Sequence, residues 1–390
     1  MHFRRCHALA LLPEETPVFS LAGVLAGGTG LAHETRVLAR AAHLDEAIVL
    51  GADAAALLLA CNGETWQPLP DAPQPRARVL DLIEQGLLIA RTGEPAHYRD
   101  ADERVRQGHW WALSAIHHRH SRWAEVDGAG EMIEKQLVTA ADLVRALGPP
   151  PPEAPPRQAG AIALPVAAGG QEDAVLARRV TCRNYDVSRA LPLGALAHIL
   201  HQVLKAQAVV ETAPGVRFLK KNVPSGGSLH PIQAYVIVRN VEGMAPGLYH
   251  YHAVAHELTR TAQQPTDLAA WTLQLVSGQD WFASAHVHIV QVCHFERNFW
   301  KYRNHAKAYR AVTLDAGHIS QALYTAATGL GLGAFVTAAI NEAQLESLLS
   351  LDPIENGVLA VCGFGWRSAV QAMAEMDPAG RVWPAGLAQG

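Results

Sequence analysis

The sequence predicts an α+β protein built in two parts, and three observations carry that expectation. The stretch G-P-P-P-P-E-A-P-P-R-Q-A-G, Gly148 to Gly160, places six prolines where no helix can continue. Ahead of it, residues 52–94 read as two short helices followed by a small hairpin. Behind it, β-branched runs such as Q-A-Y-V-I-V and H-V-H-I-V-Q-V-C-H alternate with helical stripes, and their short connections lean antiparallel. The expected organisation is an N-terminal module over 1–147, a Pro/Gly-rich linker over 148–170 and a second domain over 171–380.

Composition narrows the function classes. Of 390 residues, 49% are hydrophobic and 17% charged, which fits a folded protein able to bury a sizeable core. A net charge of -4 supplies no global basic field to recruit nucleic acid. Cys6, Cys61, Cys182, Cys293 and Cys362 lie far apart with no C-x-x-C pair, so neither a disulfide framework nor a zinc site is expected. Pro13, Glu14 and Glu15 break the apolar run after Arg4-Arg5, and no apolar stretch reaches about 18 residues. The expectation is a cytoplasmic protein with reduced thiols and no membrane contact.

In the first part, L-D-E-A-I-V-L reads as a short strand leading to a helix from Asp53 to Cys61, with Asp53 as its cap. A second helix, Arg76 to Gln85, carries Val79, Leu82 and Ile83 on one face and stops at Gly86. L-L-I-A-R-T-G-E then reads as a strand, a turn and a returning strand. The arrangement is winged-helix-like but lacks a basic recognition helix, which favours peptide binding or structural support over DNA. His109 to Trp123 is read as a further helix. Its histidines cannot all face one side and no acid or cysteine interleaves with them, so it is taken as an aromatic packing helix with no metal site.

In the second part, a helix near Gln171 carries Val175, Leu176 and Val180. G-L-Y-H-Y-H and H-E-L-T-R make a hairpin, a helix starts near Ala306, and G-V-L-A-V-C-G-F-G is the last strand. The helix contains A-G-H-I-S-Q-A-L-Y-T-A-A-T-G, small enough throughout to be buried on nearly all sides.

Three segments could carry chemistry. In R-V-T-C-R-N-Y, Arg179, Thr181 and Arg183 alternate, and two guanidiniums flanking a hydroxyl suit phosphate oxygens. In P-S-G-G-S-L-H-P, Gly226 and Gly227 permit close backbone approach, while Ser225 and Ser228 offer short polar side chains. The loop precedes a strand and is not G-x-G-x-x-G, which disfavours a Rossmann dinucleotide site. In F-W-K-Y-R-N-H, Lys301 beside Tyr302 joins an ammonium to a phenol, a pair able to position a substrate and move a proton.

Taken in order, these segments resemble the nitroreductase-like flavoenzymes, and within them the SagB-type dehydrogenases that oxidise azoline rings in ribosomally made peptides. Arg179, Thr181, Arg183 and Tyr185 follow the family's R-x-S-x-[RK]-x-[FY], with threonine for serine. Pro224, Ser225, Gly227, Leu229, His230 and Pro231 meet its P-S-x-G-x-L-H-P loop, and G-L-Y-H-Y stands unaltered at Gly247 to Tyr251. Lys301-Tyr302 precedes Tyr309, Arg310, Leu314, Asp315, Ala316, Gly317 and His318, matching Y-R-x-x-x-L-[ED]-A-G-H. The first part is similar to the peptide-clamp modules fused to such dehydrogenases.

The resemblance implies a nitroreductase-like FMN domain, a mostly antiparallel sheet flanked by helices. It implies FMN contacts from Arg179, Thr181, Arg183, Pro224, Ser225, Gly226, Gly227, Ser228 and His230. It also implies a homodimer, with the arginine motif and the loop reaching a flavin from different subunits. The reaction implied is a two-electron oxidation of a thiazoline or oxazoline in a precursor peptide, with Lys301 and Tyr302 handling the proton. A complex with a cyclodehydratase or another modifying enzyme is a further implied partner. Two alternatives stay open: an NAD(P)H-dependent nitro or quinone reductase, and a flavin-free peptide-binding scaffold.

Overall fold

A computed structural model describes residues 1–93, 95–154, 160–165 and 169–383. Residues 155–159 and 166–168 of the expected linker lie outside the described residues. The chain forms two compact units. The first comprises Met1–Arg122, His294–Ala311 and Asp352–Gly357; the second comprises Trp123–Cys293, Val312–Leu351 and Val358–Gly390. Residues 123–147 thus cluster with the second unit, although they precede the proline stretch.

The first unit opens with β1 (His2–Arg5) and β2 (Leu9–Phe19), then α1 (Leu21–Leu25) and β3 (Leu31–Ala41). It continues through β4 (Ile48–Leu50), α2 (Ala52–Ala60), β5 (Gln67–Pro68), α3 (Pro73–Glu84), β6 (Leu88–Ala90), α4 (Ala96–Gln107) and α5 (Ala112–His120). The two helices expected near Asp53 and Arg76 are present, as is a short strand before Gly51. Asp53 does not cap: Gly51 holds that position, and Asp53 pairs with Arg78 at 2.7 Å. The hairpin expected over 87–94 is replaced by long-range pairing. β6 runs antiparallel to β1, β5 pairs on the other side of β1, and α4 starts at Ala96.

The long β2–β3 hairpin, paired from Leu9–Ala41 to Phe19–Leu31, has no counterpart in the sequence expectation. Pro13 and Pro17 concealed it. They are tolerated because β2 is an edge strand in the order β2-β3-β4.

The second unit begins with α6 (Gly128–Glu134), α7 (Ala140–Leu147), α8 (Gln171–Ala177) and α9 (Leu193–Val203). β7 (Ala206–Ala213) and β8 (Val216–Lys221) form a separate two-stranded ribbon. β9 (Ile232–Val238), β10 (Gly247–His252), β11 (Glu257–Arg260), α10 (Leu268–Leu275), α11 (Asp280–Ala283) and β12 (Val287–His294) follow. After α12 (Phe295–Phe299), which belongs to the first unit, come α13 (Ala308–Gly329), β13 (Gly333–Thr337), α14 (Glu342–Leu349) and β14 (Asn356–Gly365).

The six-stranded sheet has the order β11-β10-β9-β12-β14-β13 and is antiparallel at β11–β10, β10–β9, β9–β12 and β14–β13. Period-two alternation sends Val236, Val238 and Ile289 to a core shared with α9 and α13. Ile237, Val290 and Val292 face the other way, against α10, α11 and α14. Helices therefore cover both faces of the sheet, an α+β architecture as expected. α13 departs from the sequence expectation of near-complete burial. Val312, Ile319, Leu323 and Ala327 are buried, whereas Leu314, Gly317, His318, Gln321 and Thr325 are exposed. No helix among the described residues is long and apolar enough to cross a membrane.

Candidate functional site

The arginine segment leaves α8 as extended backbone beside β13. Cys182 donates its N–H to the Ala334 carbonyl at 2.9 Å, and Thr181 bridges to the same residue. Alternation buries Val180, Cys182 and Asn184 and leaves Arg179 exposed and Thr181 and Arg183 partly exposed. The Thr181 and Tyr324 hydroxyls are 3.0 Å apart, and the Arg179 guanidinium lies 5.3 Å from the Tyr324 ring centroid. Arg183 stands over Phe282 at 5.9 Å. Among the described residues neither guanidinium has a carboxylate partner.

Glu375 holds this segment from behind. Its carboxylate accepts the Arg183 N–H at 2.6 Å, the Asn184 N–H at 3.1 Å and the Asn184 amide at 2.9 Å. It also accepts the Arg367 guanidinium at 2.7 Å and the Trp383 indole at 2.8 Å. Burial alone would push this carboxyl up. The Arg183 N–H, the Trp383 indole and the Arg367 charge outweigh burial and hold it below its ordinary range. Nothing local in the sequence marks Glu375, because its partners lie up to 192 positions away.

The glycine loop is fastened to α13 by Asp315. The Ser225 hydroxyl donates to Asp315 Oδ2 at 2.5 Å and accepts the His230 N–H at 2.9 Å, while Gly226 N–H reaches Asp315 Oδ1 at 3.0 Å. Gly227, Ser228 and His230 have φ of 63°, 56° and 46°. For the two non-glycine residues this is costly backbone, and the Asp315 bonds offset that cost. Pro224, Gly227 and Ser228 stay exposed. Pro224, Ser225 and His230 also border a water-sized void with Lys221 and Asp315.

Asp315 and Tyr324 are nine residues apart on α13, about 14 Å of helix rise. One chain therefore fixes the loop and the arginine segment at separate points of the same helix. Replacing Asp315 with Ala should free the loop and expose Gly226 N–H to faster exchange. Hydrogen exchange confined to 224–230 would show it; unchanged protection would remove Asp315 from this role.

Lys301 and Tyr302 lie in the first unit, whereas the other expected site residues lie in the second. The Lys301 Nζ is 5.5 Å from the Tyr302 ring centroid. Asn298 accepts the backbone N–H of both residues, at 3.3 and 3.1 Å, and its own amide is tied to the Ala308 carbonyl at 3.1 Å. Tyr309 is engaged elsewhere. Pro353 O can only accept, so His118 donates to it from Nε2–H at 2.9 Å, and Nδ1 accepts the Tyr309 hydroxyl at 3.0 Å. Trp110 stacks on His118 at 5.5 Å, while Trp111 and Trp123 stay exposed, and the helix expected over His109–Trp123 spans only Ala112–His120.

Burial pushes His118 and His288 down to about 3 from 6.5. The unfolded chain protonates both below pH 6.5 and the folded chain does not, so stability falls as pH drops from 6.5 towards 3. His118→Gln and His288→Gln should flatten that decline in a melting series between pH 6.5 and 4. An unaltered slope would contradict the assignment.

A cavity of about 860 Å³ opens beside Arg183 within the second unit, walled by Trp123, Met132, Val138, Trp281 and Met373. It was not foreseen from sequence, since its walls come from five separate stretches of chain.

The nitroreductase family profile matches residues 176–366, the span that holds the sheet, the arginine segment and the loop. A protein of Methanocaldococcus jannaschii named as a nitroreductase, MJ1384, is 31% identical over 179 residues, covering 45% of this chain and 83% of its own length. The chain belongs to the nitroreductase family. The trifolitoxin-processing protein TfxB of Rhizobium leguminosarum bv. trifolii is 38% identical over 150 residues, 36% of this chain. The match spans only 39% of that relative's own length. The E. coli microcin synthetase McbBCD complex with truncated pro-MccB17 aligns over 68% of this chain and 94% of the compared chain, at 20% identity and a TM-score of 0.49. As a nitroreductase family member the chain has an oxidoreductase fold; Tyr324, Arg367 and Glu375 hold the arginine segment without belonging to any of the motifs read from sequence, while Asp315 entered only as a motif position with no partner assigned.

Proposed function

We propose that this protein is an FMN-dependent dehydrogenase of the SagB type, acting as a homodimer to oxidise azoline rings of a ribosomally made precursor peptide. The observation that carries the reading is the alternating Arg179, Thr181 and Arg183, two guanidiniums with no carboxylate partner among the described residues, flanking a hydroxyl on extended backbone held by Glu375. That donor set fits a phosphate-bearing cofactor. Arg179, Thr181 and Arg183 would hold FMN, and the Pro224–His230 loop, exposed at Pro224, Gly227 and Ser228, would back its ring from the second subunit. When bound, FMN supplies a two-electron acceptor, which the loss of two hydrogens from an azoline requires. Lys301 and Tyr302 would orient the ring and take the proton. The azoline reading is supported by the Lys-Tyr, G-L-Y-H-Y and A-G-H motifs and by a relative named for trifolitoxin processing. A cyclodehydratase or another modifying enzyme would supply the ring.

Purified protein is expected to be yellow and to release FMN on denaturation. Arg179→Ala and Arg183→Ala should each cost about 1.5–3 kcal/mol of binding, roughly 10- to 150-fold in affinity, read by flavin fluorescence titration. Colourless protein that takes up no added FMN would leave the scaffold alternative standing. The archaeal relative named as a nitroreductase keeps a second reading in view, an NAD(P)H-dependent nitro or quinone reductase. Rapid NAD(P)H consumption without loss of two hydrogens per ring in peptide mass spectra would select it.

A further inference from the structure

Residues 295–310 run from α12 into α13 and carry Lys301 and Tyr302. In a chain of net charge -4 this stretch holds five cations, Arg297, Lys301, Arg303, Lys307 and Arg310, against one acid, Glu296. Lys301, Arg303, Lys307 and Arg310 are exposed, and beside them Trp300 is 50% exposed. Elsewhere in the first unit arginines are matched to acids: Arg4 with Glu103 at 3.0 Å, Arg78 with Asp53 at 2.7 Å, Arg104 with Asp352 at 2.6 Å and Arg119 with Asp45 at 2.9 Å. Among the described residues Lys301, Arg303 and Lys307 have no such match. Lys301 lies 5.5 Å from the Tyr302 ring centroid, Arg303 Nε donates to the Trp300 carbonyl at 3.4 Å, and Glu296 faces His294 at 3.9 Å.

We infer that this surface holds an acidic stretch of the peptide substrate, next to the ring that is oxidised. Exposed like charges repel one another, a cost that an anionic ligand removes. Lys307 and Arg310 add to it, because they stand at the N-terminal end of α13, where the helix dipole already opposes positive charge. The display is also preset. Asn298 O accepts the Lys301 and Tyr302 N–H groups, Asn304, at φ 52°, donates its N–H to His109 O at 2.8 Å, and Lys307 N–H reaches His305 Nδ1 at 3.1 Å. The cations therefore stand on fixed backbone, and a ligand has only their side chains to order. The exposed Trp300 ring adds a flat apolar contact for the side chains that lie between a peptide's carboxylates. Lys301 joins this surface to the residue assigned to the ring. The inference rests on that assignment and narrows the substrate to peptides with Asp or Glu close to the azoline.

Fluorescence anisotropy on the full chain tests it, with a labelled thiazole-bearing peptide flanked by glutamates and its twin flanked by glutamines. Exposed ion pairs are each worth about twofold to fivefold, so the glutamate peptide should bind about 5- to 100-fold more tightly at low salt. At about 0.5 M salt the gap should close. Arg303→Glu/Lys307→Glu should abolish the preference with the circular dichroism spectrum retained. Arg76→Glu/Arg178→Glu, the same charge change at exposed arginines elsewhere, should keep it. If the charge reversal does not fold, Arg303→Gln/Lys307→Gln carries the same comparison. A wild type without the preference overturns the inference, as does a preference that survives at 303 and 307 or is lost equally in the control pair. An oligothymidylate of matched charge that binds as tightly as the glutamate peptide would give the surface to nucleic acid and also overturn it. If the preference behaves as expected but no azoline peptide loses two hydrogens, the surface stands and the azoline reading falls. Oxidation of azoline peptides with no preference for acidic flanks would do the reverse.

Discussion

Lys301→Ala and Tyr302→Phe are each expected to retain bound FMN and to lose about 100- to 10,000-fold of turnover on an azoline-bearing peptide. The size follows from the role. A group that moves a proton in the transition state has no substitute once removed, whereas a surface charge changes rate by a small factor. The local structure suits such a role. Both backbone N–H groups are held by Asn298, which is buried and tied to Ala308, so the pair sits on a fixed turn. Beneath it Phe295 and Phe299 stack at 5.8 Å, with Trp110 packed against both. Single-turnover mass spectrometry, following loss of two hydrogens per ring, separates this step from binding. Full activity in both variants would take the pair out of the chemistry.

Glu375→Ala is expected to destabilise the second unit by about 3–5 kcal/mol, because removing one partner leaves a half-buried guanidinium uncompensated. The Asn184 side chain, the Trp383 indole and two backbone N–H groups lose the same acceptor. The arginine segment is the structure that would loosen, so FMN affinity should fall along with stability. Denaturant unfolding monitored at tryptophan, with flavin titration alongside, reads both effects. Glu375→Gln keeps the shape and part of the acceptor capacity and should cost less. The folded carboxyl is held low, so its stabilisation is present above the ordinary carboxylate range and is lost as pH falls through its folded pKa. A loss under about 1 kcal/mol for Glu375→Ala would mean that the hub does not hold the segment.

What the sequence determined by itself is what local pattern can encode. The α+β class, the strands Ile232–Val238, Gly247–His252 and Val287–His294 and the helix beginning near Ala306 follow from side-chain period and β-branched content. The alternation of Arg179, Thr181 and Arg183 follows likewise, whereas the positive φ at Gly227, Ser228 and His230 is not read from sequence. Tertiary structure alone decided what depends on partners far along the chain. β1 became the centre of a sheet because β5 and β6 return to it from more than sixty positions away. Two prolines could stand in β2 because it is the edge strand of its sheet among the described residues. Glu375 looks like an ordinary acid in sequence, and Asp315 is a motif position whose partners the motif does not name. Only folding brings 90 and 192 positions of separation down to hydrogen-bond distance, and a buried carboxylate then organises whichever donors the fold has gathered around it.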